Sequence, residues 1–108
     1  MNNFITNDLT LSSIAEKALK EVMDPEIQLN VVDLGLIYQI DFDNEQNKIY
    51  CRMSLTTRFC PMGSAIVSDV KSALCRTFPD ASIETNLVFD PPWNKDRISE
   101  AGKQFLNN

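Results

Sequence analysis

Between Lys48 and Phe78 the spacing of apolar residues changes once, and that change dictates the middle of the fold. In "KIYCRMSL", residues 48–55, Ile49, Cys51, Met53 and Leu55 share one parity while Tyr50, Arg52 and Ser54 take the other. This is the pattern of a strand with one buried and one wet face. From Pro61 onward, Met62, Ile66, Val70, Ala73, Leu74 and Phe78 recur at helical spacing, a stripe that "FPDAS" ends near Thr77. A second alternating run, "SIETNLVF" at 82–89, sets Ile83, Thr85, Leu87 and Phe89 against more polar neighbours, and the prolines of "DPPWN" break it. Strand, helical crossover and strand make a parallel pair where the two strands are neighbours.

The flanking segments complete the pattern. Leu11, Ile14, Ala15, Ala18, Leu19 and Val22 predict a helix over about residues 10–23, stopped by Asp24-Pro25 because the residue before proline is pushed out of the α region. The connector "DPEIQLNVVDLG" follows. "LIYQIDF" at 36–42, the turn "DNEQN" and the strand at 48–55 read as an antiparallel hairpin. A last helix over about 95–106 is expected to turn Ile98, Ala101, Phe105 and Leu106 inward. The order αββαβα, without repeats or long linkers, predicts an α+β, two-layer domain over residues 1–108, a small mixed sheet covered on one face by helices. Residues 1–9 read as a flexible arm.

Several functions are disfavoured by composition. A net charge of -5 without a lysine or arginine run gives nothing to attract phosphate backbones or anionic membrane. "MNNFITNDLTL" has neither a charged n-region nor an apolar h-region, and no stretch nears the ~20 apolar residues that cross a bilayer. A cytoplasmic protein is expected. Cys51, Cys60 and Cys75 form no CxxC pair, so neither a disulfide framework nor a closed zinc site is suggested. Histidine is absent, which removes every Cys-His and Ser-His-Asp arrangement.

Cys60 is the residue with chemical promise. Proline favours the first helical position, so Pro61 there leaves Cys60 at the cap, facing free backbone N–H groups. The positive end of the helix dipole lowers a thiol's pKa, and thiolate is the form that binds metals or attacks electrophiles. Thr56, Thr57 and Arg58, just before it, supply hydroxyls and a cation for a thiolate or a bound anion. The competing reading makes Cys60 a small buried hydrophobe and Pro61 only a helix starter.

Four segments, "MDPEI" at 23–27, "NVVDLGLIY" at 30–38, "LTTRFCPM" at 55–62 and "FDPPWNKDRIS" at 89–99, occur in an order and spacing that resemble the SufT- and PaaD-like family of iron-sulfur cluster assembly factors. The resemblance implies the same small αββαβα fold and an accessory role in maturing iron-sulfur proteins, carrying or targeting clusters rather than acting as an enzyme. It places the family's cysteine on Cys60, a functional thiol and candidate ligand for iron or a labile cluster, its threonines on Thr56 and Thr57, and its acidic motifs on Asp24, Glu26 and Asp33. Partners implied are iron-sulfur assembly proteins and client apo-proteins; apart from the resemblance, a homodimer is expected because it would supply a second thiol. The chain resembles the family's bare core, without the cysteine-bearing carboxy-terminal extension of the phenylacetate-pathway branch, so the resemblance implies no pathway-specific role.

Other readings compete. Strand parity gives Cys51 a structural place, and Cys75 sits beside the inward stripe of the second long helix, at its flank or in the core. Asp24, Glu26 and Asp33 either brace the connector through backbone N–H groups or gather near Cys60. Trp93 reads as a packing anchor. A thiol enzyme with Cys60 as nucleophile lacks a histidine partner, a KH-like RNA binder lacks a GxxG loop, and an interaction subunit would leave Cys60 without chemistry.

Overall fold

The computed structural model describes residues 4–57 and 63–107. Strands β4 (Ile37–Asp43) and β5 (Lys48–Met53) form the expected antiparallel hairpin, Ile40 opposite Cys51 and Phe42 opposite Ile49. Asp43 shapes its turn by accepting the N–H groups of Glu45 and Gln46, both at 3.1 Å. Helix α2 (Gly63–Thr77) then carries the chain to β6 (Ser82–Leu87), which lies parallel to β5 with Ile83 beside Ile49 and Leu87 beside Met53.

The amino-terminal stretch read as a flexible arm is built into the sheet from Phe4 onward. Strand β1 (Ile5–Thr6) pairs parallel with β4, and Asn7 bonds the Phe42 backbone in both directions, at 2.9 and 3.0 Å. The four-stranded order is β1-β4-β5-β6. Helix α1 (Leu9–Leu19) follows, capped by Asp8, whose carboxylate accepts the Leu11 N–H at 2.9 Å.

One face of the sheet makes the core. Ile40, Phe42, Ile49, Cys51 and Met53 meet Ala15 and Leu19 of α1 and Ile66, Val70, Ala73 and Leu74 of α2. Each large aliphatic chain in that set contributes about 1.5–3 kcal/mol relative to exposure. The opposite face carries Gln39, Asp41, Tyr50 and Arg52, all at least partly exposed, so this is an α+β fold with a mixed sheet and helices on one side.

Two helix boundaries differ from expectation. The first helix ends at Leu19 rather than near residue 23, because Val22 is buried with its N–H on the Leu19 carbonyl and its own carbonyl accepting the Val31 N–H at 3.0 Å. The connector thereby folds as a second sheet, β2 (Met23–Asp24) against β3 (Leu29–Asn30). Ile14, expected inside, is 46% exposed.

The terminal helix over 95–106 splits into a 3-10 turn at Lys95–Arg97 and helix α3 (Glu100–Leu106). Ile98 is half-buried as expected, but Ala101, Phe105 and Leu106 face outward. The cause is Gly102, the buried residue of α3, where an added Cβ would stand 2.9 Å from both Ile98 and Leu29. Close approach at that glycine fixes the docking face and rotates the apolar residues away from the core.

Candidate functional site

Parallel pairing has a geometric consequence at the carboxyl ends of β5 and β6. Both strands leave the sheet at the same end, so the segments that follow them meet there. After β5, Ser54 donates its N–H to the Leu36 carbonyl at 2.8 Å; after β6, Val88 donates to the Met53 carbonyl at 2.8 Å. Between the two exits lies an open cleft of about 390 Å³, lined among the described residues by Leu55, Thr56, Thr57, Phe89, Asp90, Pro92 and Trp93. The carboxyl ends of strands are the usual place for a ligand in open α/β sheets.

Thr56 is half-buried and Thr57 exposed, and both line this cleft. The chain runs from them directly into Arg58 and Cys60, which lie, with Phe59, Pro61 and Met62, outside the described residues. The expected cap at Cys60 therefore falls outside them too, and the first described residue of α2 is the buried Gly63.

The three acidic residues do not gather in the cleft. Asp24 is 2% exposed, and its Oδ1 accepts the N–H groups of Glu26 at 2.9 Å and Ile27 at 3.3 Å, closing the β2–β3 turn. Glu26 is exposed on that turn. Asp33 accepts the Ser99 hydroxyl at 2.8 Å on one oxygen and the Asn30 amide at 2.7 Å on the other, and its carbonyl accepts the Ser99 N–H at 2.8 Å. Asp24 and Asp33 brace the connector and fasten α3, one of the two roles the sequence left open.

The segment 89–99 lies against 31–38. Trp93 donates its indole N–H to the Leu34 carbonyl at 2.6 Å, Tyr38 donates its hydroxyl to the Pro91 carbonyl at 2.8 Å, and Arg97 donates Nε–H to the Gly35 carbonyl at 3.1 Å. The Arg97 guanidinium stacks over the Tyr38 ring, 4.0 Å from its centroid. Trp93 thus is the packing anchor the sequence suggested, and one side of it also lines the cleft. Phe89, Asp90 and Pro92 are site residues that sequence reasoning did not nominate; the signal was the run "FDPPW", read only as a strand breaker and a family mark.

The other thiols differ. Cys51 is sealed in the core and burial pushes its thiol up to about 12, far above neutrality. Cys75, expected at the flank or core side of its helix, is exposed on α2 and does not line the cleft. Among the described residues, no three His, Cys, Asp or Glu side chains come together to hold a metal ion.

Residues 15–85 match the family model described as iron-sulfur cluster assembly protein. The chain is 38% identical over 89 residues to the Fe-S protein maturation auxiliary factor YitW of Bacillus subtilis, covering 82% of this chain and 86% of that one. It is 39% identical over 85 residues to the Fe-S protein maturation auxiliary factor SufT of Staphylococcus aureus, covering 79% and 96%. In structure it is similar to a domain of unknown function, DUF59, from Bacillus anthracis, with a TM-score of 0.84 at 37% identity over 91% of this chain and 92% of that one.

Proposed function

The chain belongs to the iron-sulfur cluster assembly protein family, and from that membership we propose that its accessory role in iron-sulfur protein maturation runs through the thiolate of Cys60, which carries or targets iron or clusters to client apo-proteins. The observation that carries this reading is the cleft. The residues leading into Cys60 line a concave site at the strand exits, whereas Cys51 is sealed and Cys75 stands elsewhere. The Thr56 hydroxyl there can donate to a thiolate or to a cluster sulfide, and Asp90 supplies a carboxylate beside it.

Iron-sulfur clusters usually take four cysteine ligands, so a lone thiol needs completion by a second copy, a partner or a small thiol. An incompletely liganded cluster is labile, which suits transfer over storage. The cluster is then cargo, the protein is not an enzyme, and the site of action is the cytoplasm, where thiols stay reduced.

The test is the activity of a cluster-dependent dehydratase such as aconitase in host cells lacking this protein, complemented with wild type or Cys60→Ala. Rescue by wild type alone is expected. Rescue by both would reduce the protein to a scaffold, and undiminished activity without the protein would remove the maturation role.

A further inference from the structure

β6 is the terminal strand of its sheet, and two hydrogen bonds fix which way its backbone groups point. The Ser82 N–H donates to the Asn47 carbonyl at 2.7 Å and the Val88 N–H to the Met53 carbonyl at 2.8 Å, both toward β5. Successive residues of a strand turn their N–H and C=O to opposite sides, so Ile83, Thr85 and Leu87 direct theirs outward. Among the described residues no strand pairs with that edge.

Edges are ordinarily blunted by proline, lysine or a bulge. Ser82–Leu87 has none of these: its pairing with β5 runs without a register shift, and its single charge is Glu84. Leu87, 43% exposed, stands at its end.

We propose that this edge is an interface for a second copy of the chain, β6 pairing antiparallel with β6 about a two-fold axis through Thr85. In that register Thr85 faces Thr85 and Ile83 faces Leu87, and every outward N–H and C=O of the strand is satisfied because each facing pair exchanges both bonds. The side chains agree. Ile83 and Leu87 lie on the core-facing side of the sheet and cover one another, Thr85 meets its own copy, and on the other face Glu84 meets Asn86 rather than another carboxylate. Centring the pair on Ile83 or on Leu87 instead runs the partner past the strand's end, toward Ala81 or Phe89, and leaves bonds unmade. An isologous contact of this kind closes on itself, and strand addition alone is small for a protein interface, so the dimer dissociates on dilution. The proposal stands on the geometry of β6 and does not depend on the role of Cys60.

Sedimentation equilibrium of the full chain under reducing conditions, from micromolar to millimolar concentration, tests it. Thr85→Pro removes the central outward N–H in both copies at an edge position where proline is tolerated, and should raise the dissociation constant about 30-fold. Leu87→Lys places a charge opposite Ile83 at an exposed position and should also give monomer, with native circular dichroism in both variants. Cys60→Ala should dimerise as wild type does. A wild type that stays monomeric throughout, dimers that persist unweakened in both β6 variants, or dissociation by Cys60→Ala alone would each overturn the proposal.

Discussion

Removing the Asp33 carboxylate separates its two possible roles, brace or pocket. In Asp33→Ala the Ser99 hydroxyl and the Asn30 amide lose acceptors at 2.8 and 2.7 Å. A hydrogen bond to a charged group contributes about 1.5–3 kcal/mol, and allowing for the half-exposure of Asp33 the pair amounts to roughly 2–3 kcal/mol. For a domain near 100 residues that is a fall in Tm of about 10–20 °C. Ser99→Ala loses the same bond to Asp33 and also the cap of α3, where Ser99 Oγ accepts the Gly102 N–H at 3.0 Å. The double variant should therefore cost less than the sum of the singles by about 1 kcal/mol. Urea unfolding followed by circular dichroism at neutral pH gives all the values. An Asp33→Ala variant within ~0.5 kcal/mol of wild type would refute the brace and return Asp33 to the candidate site.

Two further outcomes follow from the core and from the 31–38 contact. The Cys51 thiol is raised from 9.0 to about 12 by burial, so it is neutral when folded while the unfolded thiol ionises; its stabilising contribution is complete below pH 9 and is lost as pH rises toward 12. Over that window wild type should lose up to about 1.4 kcal/mol per pH unit more than Cys51→Ala in urea titrations, and identical slopes would contradict the burial. Gly35→Ala should destabilise by about 3 kcal/mol or more in the same assay. Gly35 has φ +77°, and an added Cβ would overlap the Arg97 carbonyl oxygen; an unchanged midpoint would mean the 89–99 segment does not lie there.

The middle of the chain was legible because a single buried face imposes one period on each element. Ile49, Cys51 and Met53 in β5 and Ile66, Val70, Ala73 and Leu74 in α2 are buried as their spacing predicts, whereas the crossover rule made β5 and β6 parallel only on condition that they are neighbours, an adjacency that spacing left open. The ends were less legible because close approach of backbone decided them. The apolar period of 95–106 could not register that Gly102, having no side chain, would be the contact point. Likewise Ile5–Thr6 pairs through backbone alone and leaves Ile5 68% exposed, so hydrophobic pattern carries no trace of it. The cleft is non-local: Thr56 and Trp93 become neighbours only once β5 and β6 are parallel, which no spacing along the chain displays.

The four segments that resemble the assembly-factor family divide by what holds them. Asp24 in the first and Asp33, Leu34, Gly35 and Tyr38 in the second have their polar groups engaged by turns or by the 89–99 segment. A carboxylate or carbonyl so engaged has little left to offer a metal, since each bond it accepts would have to be broken first. The fourth segment is mixed, Trp93 spending its N–H on Leu34 while its ring lines the cleft, and Asp90 opening into it. The part of the pattern that lines the cleft is Leu55, Thr56 and Thr57 with the facing Phe89, Asp90, Pro92 and Trp93. Cys51, the other thiol near β5, is protonated at any pH a cell reaches. On the proposed reading thiolate chemistry falls to Cys60, and the contacts between 31–38 and 89–99 fix Trp93, whose ring lines the cleft beside Thr56.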